Sequence, residues 1–138
     1  MSTHFDEGPD GEFRCHCGRA ECDAPTAPSR LLILFLERMR AMYDAPIRVT
    51  RGNTCRAHND DLVPPEQLGK PDEHVQKHGC LGADLECETS PERLELVKAA
   101  TDAGIVRIGL GPKHIHVGVG LGPDFVQGVL WLETHPGA

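Results

Sequence analysis

The run Lys113-His114-Ile115-His116-Val117-Gly118-Val119 constrains this chain more than any other stretch. Its alternation predicts a β-strand, because successive strand side chains point to opposite faces. His114 and His116 then share one face, and Ile115, Val117 and Val119 share the other. A second run, Lys77-His78-Gly79-Cys80-Leu81-Gly82-Ala83-Asp84-Leu85, adds a histidine and an aspartate. An aspartate in an apolar strand costs free energy unless it is paired or ligates a metal. A salt bridge to Arg107 is the plainer partner for Asp84. Two imidazoles and one carboxylate are also the donor set of a metal site with an open position. On this reading His114, His116, His78 and Asp84 supply the parts of such a site. His74, one helical turn before His78, competes for the same role.

The bulk of the sequence narrows the class. A chain of 138 residues is the size of one ordinary domain, here taken as 1–138. Residues 1–12 are expected to be flexible or to hug the surface. A net charge of −7, with no cluster of Lys and Arg to offset it, argues against a nucleic-acid partner. No stretch is long enough to span a membrane. The polar start has no signal-peptide core, so synthesis and retention in a cytoplasm are expected. In such a compartment the six cysteines are thiols or metal ligands before they are disulfides. Cys15, Cys17 and Cys22 crowd around Gly18 in the manner of half a metal knuckle. Cys55 is the best fourth ligand, with His16 as a substitute; isolated thiols are the plainer alternative. Cys80 and Cys87 read as buried thiols.

Periodicity and punctuation predict the elements. A helix is expected over residues 29–43, burying Leu31, Leu34, Phe35, Met39 and Met42, with Leu32, Ile33 and Leu36 widening that face. A strand over 47–51 follows, then a long loop over 59–77. A further strand is expected over 82–87. Ser90 as N-cap, Pro91 at the first position and Gly104 at the end predict a helix from Ser90 to Ala103. Its expected face is Leu94 and Val97, with Leu96 and Ala100 beside them. Strands over 105–110 and 115–120 form a hairpin around Gly111-Pro112, and 126–132 is a last strand. This order implies an α+β domain: a small, mainly antiparallel sheet with two principal helices packed on it.

Several fragments, taken in order, resemble one family. They are Phe13-x-Cys15-x-Cys17-Gly18; Val49-Thr50-Arg51-Gly52 with Cys55-x-Ala57-His58-Asn59; His78 through Gly82-Ala83-Asp84; Arg107-Ile108-Gly109 with Ile115-His116-Val117; and Val129-Leu130-Trp131-Leu132. They resemble the small zinc D-Ala-D-Ala carboxypeptidase-like peptidases, of hedgehog-like peptidase fold, that cut peptidoglycan stem peptides in bacteria and phages. The resemblance implies a catalytic zinc on His78, Asp84 and His116 in a cleft lined by long loops. It implies a peptidoglycan peptide as substrate, with Arg51 or Arg56 gripping the substrate carboxylate. A second, structural zinc on Cys15, Cys17, Cys22 and Cys55 is compatible with it. It further implies a phage lysis enzyme or a tail-associated wall hydrolase, with other virion proteins as partners.

The chain departs from the family pattern at five places, the first being five residues rather than six between His78 and Asp84. Asn53 and Thr54 replace a tyrosine and an arginine. Gly118 and Lys113 stand where an acid is expected. His114 is the remaining candidate for acid–base work. The rival reading is a non-catalytic relative with a structural or wall-binding role in a virion.

Overall fold

The structure is a computed structural model and describes residues 3–133. It is an α+β fold: two principal helices on one face of a five-stranded sheet ordered β1-β2-β4-β3-β5. The strands are β1 (Val49–Arg51), β2 (Gly82–Glu86), β3 (Arg107–Leu110), β4 (His114–Gly118) and β5 (Val129–Leu132). Every pairing is antiparallel except β3 with β5. Among the described residues no helix is long and apolar enough to cross a membrane.

Helix α1 (Arg30–Met42) starts at Ser29, whose hydroxyl accepts from the Leu32 amide at 3.1 Å. It buries Leu32, Ile33, Leu36 and Met39, whereas Leu34 and Met42 are exposed. The buried stripe is thus rotated from the expected one, because a run apolar on all sides does not say which stripe meets the sheet. Helix α3 (Ser90–Ala103) has the expected limits, but its N-cap is Thr89 rather than Ser90. The Thr89 hydroxyl accepts from the Glu92 amide, and the Glu92 carboxylate reaches back to the Glu88 amide, a variant of the capping box. Gly104 closes the helix in the left-handed conformation, at φ 98°. Leu96, Ala99, Ala100 and Ala103 face inward, and Leu94 is 60% exposed.

A short helix was not expected in the loop after β1. Helix α2 (Arg56–Leu62) buries only Asn59, so it has no apolar stripe to read. The segment from Thr3 to Ser29 contains no helix or strand, yet it inserts Phe5 and Phe13 into the core. Residues 3–12 therefore hug the body of the protein.

The sheet separates two chemistries by alternation. Ala83 and Leu85 of β2 lie beside Val117 and Ile115 of β4 and Ile108 of β3, all in the hydrophobic core with α1 and α3. On the opposite face, Arg51, Asp84, His116, Gly109 and Trp131 form one row across all five strands.

Candidate metal centre

Asp84 and His116 face each other directly across β2 and β4. The third member is His74, from the loop that leads into β2. His74 Nε2, Asp84 Oδ1 and His116 Nδ1 lie 3.0–3.2 Å from one another. All three side chains are buried.

The outer hydrogen bonds fix where the protons lie. His74 Nδ1 is 2.7 Å from the Gly52 carbonyl, which only accepts, so Nδ1 carries the hydrogen. His116 Nε2 is 2.9 Å from Glu73 Oε1 and likewise donates. The nitrogens that face Asp84 are then bare lone pairs in the neutral rings. Three acceptor atoms converging in a buried space repel one another unless a proton on His116 or a metal cation lies among them. A ring nitrogen held by an outer acceptor while the other faces inward is how metal-ligating histidines are commonly oriented. Tetrahedral coordination at roughly 2.0–2.1 Å places ligand atoms about 3.3 Å apart, close to the spacing seen. His74, Asp84 and His116 are thus arranged as a group that can hold a metal.

Without a metal, a proton meets the same need. Burial opposes ionisation of Asp84, but His74 and His116 hold its carboxyl well below the usual range. Burial also opposes an imidazolium at His116, but hydrogen bonds to Asp84 and Glu73 raise its pKa well above the ordinary value. The site draws positive charge.

Glu73 is the residue that sequence reasoning missed. Besides His116, its carboxylate accepts from Arg107 Nε at 2.9 Å, Arg107 Nη2 at 3.1 Å and the Gly120 amide at 2.8 Å. Burial would raise its pKa, but His116 and Arg107 bring it down to about 2. Arg107 in turn lies over the rings of Phe125 and Trp131, at 5.2 and 5.3 Å. Glycines on this face make the room. A Cβ at Gly118 would collide with the Glu73 carboxylate, and one at Gly82 would come within 2.6 Å of His116. The space where the sequence lacks an acid, at Gly118, is filled by a carboxylate from another part of the chain. Arg107 is consequently the partner of Glu73, not of Asp84.

His78 does not join the group. It is exposed, while the adjacent Gly79 lies against the backbone of Pro28 and Ser29, leaving no room for a Cβ. The Ser29 amide donates to the Cys80 carbonyl, and the Cys80 amide to Asn53 Oδ1. The chain at His78 is thereby held beside the start of α1. His74 takes the place because its amide is anchored on Asp72 Oδ1 and its carbonyl on the Thr54 amide. The dipeptide Glu73-His74, an acid beside a histidine, was the available signal.

The other expected site residues are placed as follows. His114 shares the face of His116, with its ring in space left by Gly111, and pairs with Glu133 at 2.8 Å. With Asp84, this pair forms a second group of potential ligands. Arg51 is buried behind Asp84, with Nη1 3.9 Å from Oδ2, and donates to Thr54 and Asn59. Arg56 is partly exposed and donates to the Lys70 carbonyl. Neither arginine lines the cleft beside His116. That cleft, about 580 Å³, is bordered by Glu73, Arg107, His116, Trp131 and Glu133, with Lys70 as its other cation. Asn53 and Thr54 are buried framework residues.

Cys15, Cys17, Cys22 and Cys55 come together, with their sulfurs all within 4.8 Å of one another. The backbone N–H of Arg19 on the Cys17 sulfur lowers that thiol to about 7. Cys22 goes up to about 12 despite a hydrogen bond from Ala24, because burial and the neighbouring thiols oppose a second charge. Cys80 stands apart, pushed up to about 12 by burial. The chain matches no protein-family profile, no curated protein and no solved structure.

Proposed function

We propose that the chain is a zinc-dependent peptidase, with His74, Asp84 and His116 as the ligands and a peptide of the bacterial cell wall as the substrate. The convergence of two oriented histidine lone pairs on a buried carboxylate carries this reading. The substrate class comes from the sequence resemblance to D-Ala-D-Ala carboxypeptidase-like enzymes. It brings with it the expectation of a phage lysis or virion-associated role.

His74, Asp84 and His116 would hold the zinc, which would supply a Lewis acid able to lower the pKa of water from about 15.7 toward roughly 7 and to polarise a carbonyl. The protein's own residues do the rest. Glu73 and the Gly52 carbonyl hold the two rings in the ligating tautomers. The cleft beside His116 receives the peptide. Glu133, on that cleft and hydrogen-bonded to His114 and Trp131, would be the carboxylate that accepts a proton, with His114 sharing the charge. Lys70 is the cation of the cleft that is available to a substrate carboxylate, since Arg107 is committed to Glu73.

The test is digestion of purified peptidoglycan by the zinc-loaded protein, followed by chelation and zinc return. Release of peptide fragments or D-alanine that stops with chelator and resumes with zinc is the expected result. A protein that binds zinc at the triad and releases nothing supports the non-catalytic alternative. One observation favours that alternative: Glu73, the carboxylate nearest His116, is fully occupied by hydrogen bonds.

A further inference from the structure

We infer that Cys15, Cys17, Cys22 and Cys55 hold a second, structural zinc as a tetrathiolate, and that this ion clamps the N-terminal segment to the stretch that orients His74. Four sulfurs mutually within 4.8 Å match a tetrahedral zinc–thiolate centre, in which Zn–S bonds of about 2.3 Å place sulfurs roughly 3.8 Å apart. All six cysteines are free thiols, so no disulfide competes for these sulfurs.

The surroundings are built for thiolates. The Arg19 amide donates to Cys17 Sγ at 3.4 Å, and the Cys55 amide to Cys15 Sγ at 3.3 Å. Gly18 between Cys17 and Arg19 has φ 70°, the left-handed conformation that turns the Arg19 amide back onto the sulfur. The Arg19 guanidinium approaches Cys55 Sγ at 4.0 Å and is itself fixed by Asp61. A dianionic zinc tetrathiolate has a cation beside it and backbone donors on two of its sulfurs. On binding, each thiol gives its proton to solvent.

The location gives the ion its task. Three ligands lie in a segment without helix or strand, whose buried anchors include Phe5 and Phe13, and a metal would add a cross-link to it. The fourth, Cys55, stands at the N-cap of α2 and ends the stretch Gly52-Asn53-Thr54-Cys55. In that stretch the Gly52 carbonyl accepts from His74 Nδ1, Asn53 bonds Phe13 and Ala27 of the N-terminal segment, and the Thr54 amide holds the His74 carbonyl. The tetrathiolate stands on its own observations; only its link to His74 rests on the proposed function.

Metal counting on the full chain, with cobalt substitution, tests the inference. Wild type is expected to bind two zinc ions per chain. The His116→Ala protein should keep one, and its cobalt form should show intense sulfur-to-cobalt charge-transfer absorption. Cys17→Ser should lose the thiolate ion and weaken zinc at the triad by roughly 10-fold or more in chelator competition. An unchanged triad affinity would overturn the clamp. Should Cys17→Ser fail to fold, alkylation of wild type decides. Cys15, Cys17 and Cys22 are only partly buried, so burial alone does not protect them. They should resist reagent in the zinc-loaded protein and react after chelation. Equal reactivity in both states, bound iron, or a single zinc that His116→Ala removes would overturn the tetrathiolate assignment.

Discussion

The two clusters of potential ligands are built in opposite ways. His74, Asp84 and His116 are buried, and two of them sit on paired central strands whose register fixes their distance. Cys15, Cys17 and Cys22 lie at partial exposure, on a segment with no ladder to hold it, and of the four only Cys55 is buried. In the first cluster the fold makes the site. In the second, on our reading, the ion makes the local fold. The first should survive metal removal as a shape, and the second should not.

The sharpest division is between neighbouring histidines. His74→Ala should abolish zinc at the triad and any hydrolysis that depends on it, while His78→Ala leaves both intact; a metal count on the two variants checks this. The reverse pattern would break the assignment of the ligand loop. Next in size is Glu73→Ala, which leaves Arg107 unpaired in a largely buried position and frees the His116 ring. Removing one partner of a buried pair costs about 3–5 kcal/mol, measurable as a fall in the urea midpoint. Gly118→Ala should follow at about 1–3 kcal/mol, because its methyl displaces the Glu73 carboxylate. Zinc affinity at the triad should drop in the same variant while the thiolate ion is retained.

A pH titration of the metal-free protein separates the clusters further. Glu73 has its pKa depressed from 4.5 to about 2 on folding. Its contribution is therefore fully present above pH 4.5 and is lost as pH falls through that window toward 2. Stability of the Glu73→Gln protein, followed by urea unfolding, should vary less over the same range. The smallest effect is a control remote from both clusters. Thr89→Ala removes the cap of α3 and should cost about 1 kcal/mol without changing either metal count.

What the sequence disclosed follows from how local each signal is. The limits of α3 are written in Pro91 and Gly104. The two-faced strand β4 is written in His114-Ile115-His116-Val117, and the cysteine group in its residue type. The choice between His74 and His78 was not legible, because it depends on Gly79 lying against Pro28 and on Asp72 anchoring the His74 amide, contacts between distant segments. The same holds for the inward stripe of α1, which an all-apolar run leaves undetermined. Helix α2 gave no periodic signal because only Asn59 is buried. The parallel partnership of β3 and β5 is a matter of chain path. Glu73 was overlooked because an acid was sought beside His116 in sequence, whereas the carboxylate arrives beside it in space.

Gly82, Gly109, Gly111 and Gly118 all lie on the face that carries the triad, and each leaves space that a side chain at its own position would contest with His116, Trp131, His114 or Glu73. The residues that recognise such a centre therefore include four that contribute no atoms beyond the backbone. A search for distant proteins with the same chemistry would do better to ask for this pattern of bare strand positions around a histidine than for an acid at a fixed offset from it. The carboxylate is free to come from any loop that reaches the bare patch; the patch itself has to be encoded where it lies.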